Sequence, residues 1–187
     1  TPGKPPPDPY VYAELAFKVR IKPDEGLAAA EGLLTDSSFV IDPACRLSGG
    51  FAFFVWFGGP HAGDFVLTLG GYHPRFIAPS HYPRPPRLAI NWPVSDALAI
   101  KGEAYFALTP SCVMAGGMLE ANYRDGALSA SFTARADFLI RWQPFFYDIE
   151  AHAAIRAALR TSTPFGTATL STELSAGLHI WGPRFAG

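Results

Sequence analysis

From Leu128 to Trp181 the chain alternates apolar and polar residues along segment after segment. Nothing else in the sequence constrains the fold as much, because successive side chains of a strand point to opposite faces of a sheet. Period 2 over such lengths therefore means long strands with one apolar side. No segment of helical length holds clean 3.6-residue spacing; even LAAAEGLL, Leu27 to Leu34, is short and interrupted by a glycine. The expected fold is all-β: long antiparallel strands and hairpins forming a twisted sheet, a sandwich or an open groove.

Strands are expected near 10–22, 26–34, 48–57, 65–71, 88–92, 98–108, 113–123, 128–142, 146–160 and 165–181, bounded by Pro, Gly and Asp signals. The first half is irregular. Glycine pairs at Gly49–Gly50, Gly58–Gly59 and Gly70–Gly71 suggest bulges or corners there. The second half reads as strands of about 15 residues, roughly 50 Å at 3.3 Å per residue.

Three of the hairpins can be tested for register. A two-residue turn at Asp125-Gly126 pairs Tyr123 with Leu128, Ala121 with Ala130 and Leu119 with Phe132, so that one face is apolar on both strands. A four-residue turn after Trp142 pairs it with Tyr147 and sets Asp137 opposite His152. A further turn at Ser162-Thr163 places His152 opposite Glu173. Asp137, His152 and Glu173 would then form a polar row across three strands, read first as a solvated cross-strand network and second as one His between two carboxylates available for general-base or metal chemistry.

The apolar faces are rich in alanine. Ala130, Ala134, Ala151 and Ala153 sit among Phe132, Phe138 and Ile155. Small side chains on a long sheet leave room, to be filled by a second closely packed sheet or by an apolar guest lying along a groove. A lipid-facing barrel wall also alternates. The proline-dense middle and glycine-rich first half supply no regular series of comparable strands, which disfavours a membrane role.

The proline-dense middle is GGYHPRFIAPSHYPRPP, Gly70 to Pro86. His73 and His81 lie at no standard metal spacing, and no Cys, Asp or Glu falls between them. Each is followed by a proline within two residues, so His73 and Tyr82, which directly precede prolines, are held extended. A stiffened loop of this kind can cross a sheet and plug it with Tyr72, Phe76, Ile77 and Tyr82, its backbone donors met by His and Tyr polar atoms. The expectation is architecture rather than a metal site.

With 15 basic and 16 acidic side chains the net charge is -1, which supplies no electrostatic footprint for nucleic acid. Cys45 and Cys112 stand 67 positions apart in neither metal nor redox spacing and read as two buried or free thiols. No nucleophile elbow or phosphate-cradling loop occurs, and Thr109-Pro110-Ser111-Cys112 reads as a turn rather than a catalytic motif. No catalytic residue, metal or cofactor is expected. Residues 1–9, with five prolines, read as a linker leading into one β-rich domain over 10–187.

The runs GDFVLTLGGYHPRF, HYPRPPRLAINW, IKGEAYFALTPSCVMAGGMLEA, ADFLIRWQPFFYDI and LHIWGP resemble a domain of unknown function found in very large, mainly bacterial and fungal multidomain proteins. The resemblance implies a segment of a larger polypeptide and carries no activity. Three functions follow as expectations. The first is a non-catalytic structural or interaction module whose partners are neighbouring domains of the same polypeptide. The second is a carrier of an apolar ligand, a lipid or hydrophobic metabolite, along the alanine-rich face. The third is a carbohydrate-binding module using Trp56, Trp92, Trp142 and Trp181 as stacking platforms.

Overall fold

The fold is described from a computed structural model covering residues 10–182; the expected linker at 1–9 lies outside the described residues. Thirteen strands form one open, wholly antiparallel sheet. In chain order they are β1 (Val11–Tyr12), β2 (Leu15–Lys22), β3 (Leu27–Leu34), β4 (Phe39–Val40), β5 (Asp42–Ser48), β6 (Gly50–Trp56), β7 (Phe65–Leu69), β8 (Leu88–Pro93) and β9 (Leu98–Leu108). They continue with β10 (Cys112–Asp125), β11 (Leu128–Trp142), β12 (Phe145–Thr163) and β13 (Gly166–Gly182). The expected strand at 10–22 is split, Val11 and Tyr12 pairing with the short β4.

Strand β9 is where the sheet branches. One edge pairs with β10; the other pairs with β8 along Ala99–Ala104 and with β7 along Phe106–Leu108. From β8 one arm runs through β5 and β4 to β1, and from β7 the other runs through β6 and β3 to β2. Beyond β10 the sheet is a plain meander to β13, the geometry that two-residue loops favour.

Register is where sequence and structure part. Asp125 pairs with Leu128, Tyr123 with Ala130 and Ala121 with Phe132, so the loop is Gly126-Ala127 rather than Asp125-Gly126. Gly126, at φ 53°, takes the first central position, where the turn needs a left-handed residue, and Asp125 stays in the ladder. Trp142 pairs with Phe145 rather than Tyr147, leaving Gln143-Pro144 as a two-residue loop. Thr163 pairs with Gly166, leaving Pro164-Phe165 in the last loop. Pro164 has no N–H to give a ladder, so β12 runs on to the residue before it. The slips are two, two and four residues, and an even slip keeps every side chain on its own face. Hence the faces are as expected and the opposed pairs are not.

One face is apolar throughout β2, β3 and β6–β13. It carries Leu15, Phe17, Val19 and Ile21 on β2, Phe51, Phe53 and Val55 on β6, and Leu67 and Leu69 on β7, then continues across the meander. The only charge of this parity on those strands is Asp125 at a hairpin tip. No second sheet covers this face in the described residues, contrary to the sandwich expectation, and Phe17, Ile155, Leu170 and Leu174 are all exposed. The core lies on the opposite face. Leu27, Phe54, Trp56, Val66 and Tyr82 form one buried cluster there, and Tyr105, Ala107, Met114 and Leu139 a second. Tyr72 and Phe76 of the proline-rich loop pack on both clusters.

Candidate functional site

The alanine-rich face has relief. Reading across strands, Ala115, Phe138, Ile149 and Ile180 stand in one row, and Ala121, Phe132, Ile155 and Leu174 in another. Between them run two rows of mainly small residues: Gly117, Ala136 and Ala151 ending at Leu178, and Leu119, Ala134, Ala153 and Ala176. The result is a shallow valley between two ridges of larger side chains on β11 and β12, with Leu119 standing in it on β10 and Leu178 on β13. It crosses β10 to β13, about 14 Å at 4.8 Å per strand step, and Gly102 and Ala104 extend it onto β9. A depression of 390 Å³ is lined by residues 116–119 of β10 and 134–136 of β11, which include the valley's Gly117, Leu119, Ala134 and Ala136. Ala130, Phe132, Ala134, Phe138, Ala151, Ala153 and Ile155 all share this face, as the expected ligand face requires.

The opposite face holds the polar cluster, closed by the loop. Arg87 donates to the carbonyls of Gly70 at 3.1 Å and Tyr72 at 2.7 Å while lying 4.0 Å over the Tyr105 ring, so one guanidinium fixes the start of the loop to the sheet. Further along, Arg75 donates to Asp148 and, at 2.9 Å, to Glu150, both on β12. His179 of β13 lies 2.9 Å from the other Asp148 oxygen. Burial alone would raise the Asp148 carboxyl, but the bonds from His179 and Arg75 outweigh it and hold the group below the usual carboxylate range. Asp137, also buried, accepts from the Tyr105 hydroxyl and from Arg135 Nε, each at 2.6 Å. Burial together with this carboxylate pushes the Tyr105 hydroxyl far up, so it remains a donor.

His73 sits inside this cluster and is buried. Its Nδ1 accepts the Arg75 N–H at 3.1 Å, which leaves the ring proton on Nε2, where no atom of the described residues accepts it. Desolvation pushes His73 down, against the raising pull of Asp137 and Asp148. The second histidine of the loop is elsewhere: His81 bonds Asp64 at 2.8 Å and stacks on His61 with centroids 3.8 Å apart. Tyr82 also donates to Asp64, at 2.7 Å, and Tyr72 donates to the Pro83 carbonyl at 2.7 Å. Tyr72, Phe76 and Tyr82 thus fill the plug, but Ile77 does not, being 92% exposed on the outer side of the loop.

The expected polar row is not assembled. Asp137 faces Glu150, His152 faces Arg135 on one side and Gly177 on the other, and Glu173 faces Arg156, with which it pairs at 3.0 Å. The slips of two and four residues move each partner along its strand. What replaces the row is Asp137, Glu150 and His179 on three successive strands, tied to Arg75 and Arg135. Had Pro164 been kept out of the ladder, the sequence would have set Glu150 beside His179. Arg75 and Arg87 arrive from a loop far away in the chain, which no strand register reveals.

The Thr109-Pro110-Ser111-Cys112 segment is a turn, with buried Thr109 Oγ1 accepting the N–H groups of Ser111 and Cys112 at 3.3 and 3.1 Å. Both cysteines are free and buried. The four tryptophans make no common platform: Trp56 is in the core, Trp142 lies on the apolar face and Trp181 on the polar one, and Trp92 is at the other end of the apolar face.

No curated protein and no solved structure matches the chain. A family model described as a family of unknown function (DUF6603) matches residues 2–187, nearly the full length, and the chain belongs to that family.

Proposed function

We propose that the chain is a non-catalytic module whose apolar sheet face holds hydrocarbon, an acyl chain lying in the valley between the Phe138 and Phe132 ridges. The observation that carries this reading is the segregation of charge. Ten strands place their charged side chains on one face, apart from Asp125 at a tip, and the other face is left apolar and uncovered by the described residues. Exposed contiguous apolar surface of this extent marks a binding surface, since monomers seldom expose patches beyond a few hundred Å². The valley adds shape to that surface: a linear apolar guest meets side chains on both flanks and backbone-close alanines beneath. On the opposite face Arg75, Arg135, Asp137, Asp148, Glu150 and His179 are engaged with one another and with the loop, an arrangement suited to stiffening a sheet.

Native mass spectrometry of protein released from mild detergent tests the reading. The expected spectrum contains a bound mass of a fatty acid or a phospholipid, the two sources being told apart by that mass. Ala153→Glu places a charge in the valley at an exposed position and should abolish the adduct without altering the circular-dichroism spectrum. Apo protein in every preparation, with no uptake of added fatty acid or phospholipid, would contradict it.

A further inference from the structure

Two of the three ends of the branched sheet, β2 and β13, differ in kind. β2 pairs only with β3, and its free edge carries Lys18, Arg20 and Lys22 within eight residues. β13 pairs only with β12, runs for 17 residues, and carries neither lysine, arginine nor proline; Glu173 is its one carboxylate. Cationic side chains on a short strand are the usual protection of a sheet edge, and β13 has none of it. In a two-residue hairpin the closing pair, here Thr163 and Gly166, is hydrogen-bonded and bonding alternates from there. The N–H and C=O groups of Thr169, Ser171, Glu173 and Ser175 therefore point away from β12 and meet no strand of the described residues.

We propose that β13 is a pairing edge whose occupant is β13 of a second copy, added antiparallel about a two-fold axis normal to the sheet. The strand is self-complementary in this arrangement. With the axis at Leu174, Leu170 comes opposite Leu178 and Thr172 opposite Ala176, so both apolar faces stay on one side. Glu173 comes opposite Ser175 and His179 opposite Thr169, so no like charges meet; an axis at Glu173 would oppose two carboxylates and is disfavoured. Arg156 already neutralises Glu173 from its own β12. A partner presenting an added strand through backbone bonds gains affinity from the ladder and specificity from the alternate side chains.

The test is the molar mass in solution, by light scattering or sedimentation, of wild type, Ser175→Ala and Ser175→Pro. Wild type and Ser175→Ala should give twice the 20.2 kDa chain mass. Ser175→Pro removes an outward donor, leaves the β12 ladder in place, and should give the single-chain mass with an unchanged circular-dichroism spectrum. Leu174→Cys provides a second readout, since it should form an intermolecular disulfide on mild oxidation. A wild type that stays monomeric at every concentration overturns the proposal. So does a dimer that Ser175→Pro leaves intact, which would place the contact on the apolar face instead. Hydrocarbon takes no part in these measurements, so their outcome is separate from that of the acyl-chain reading.

Discussion

Arg75 Nη1 lies 2.5 Å from Asp148 Oδ2, a contact that joins residues 73 positions apart and fastens the proline-rich loop to the meander. Asp148 is buried and Arg75 half-exposed, so the bond is shielded on one side only. Arg75→Ala should release the loop locally: hydrogen exchange at Phe76 and Tyr82, whose N–H groups bond inside the loop, should accelerate while exchange in β10 and β11 stays slow. Uniform acceleration in loop and strands alike would mean the contact supports the whole sheet.

The Tyr105–Asp137 bond is buried at both ends. Tyr105→Phe leaves a buried carboxylate with one donor fewer, and hydrogen bonds to charged groups contribute about 1.5–3 kcal/mol. Urea unfolding should lose that amount with an unchanged m-value. A loss below about 0.5 kcal/mol would show that Arg135 alone satisfies Asp137.

Tyr105 reaches Asp137 across Gly116, where a Cβ would stand 2.6 Å from both the tyrosine oxygen and the Ala136 carbonyl. Gly116→Ala should therefore cost about 1–3 kcal/mol by overpacking. Gly177→Ala is the matched control, its nearest non-local atom being 3.6 Å away in His152. Equal melting temperatures for the two variants would refute the close approach.

Stability should fall with acid in two stages. His73 is held below its ordinary 6.5 in the fold, so below that pH the unfolded chain binds a proton that the folded one refuses. Stability then declines as pH drops from 6.5 toward the folded value, and His73→Gln should flatten this stage. Asp148 is depressed below 3.8, so its contribution is present above 3.8 and is lost as pH falls through the folded value. Unfolding free energies measured across that range, for wild type and His73→Gln, check both signs. Parallel curves would show that His73 does not contribute to the first stage.

The apolar face was legible in the sequence because a period of 2 survives any even slip of register, so the grouping of Phe132, Ala134, Ala153 and Ile155 on one side never depended on which turn was chosen. The polar row depended on nothing else, and a two-residue error at Trp142 with a four-residue error at Thr163 dispersed it. Pro164 held the missing information, since a residue without an N–H belongs in the loop. The loop's role as a plug was readable from its prolines and aromatics, yet which residue faced outward was not: Ile77 is as apolar as Phe76, and only the path of the backbone over the sheet separates them. The two-residue β4 is too short to register as a strand, and β5, DPACRLS, holds a proline and no regular alternation. The clamp by Arg75 and Arg87 joins distant segments, which local pattern does not report.

Acyl binding by the apolar face can be measured by titrating detergent-free protein with a fluorescent long-chain fatty acid and comparing wild type with Ala136→Trp, which fills the valley at an exposed alanine. Wild type should bind saturably, with displacement by an unlabelled fatty acid of the same length, and Ala136→Trp should bind at least tenfold more weakly, which corresponds to about 1.4 kcal/mol. Non-saturable partitioning, or equal binding by the two proteins, would contradict it.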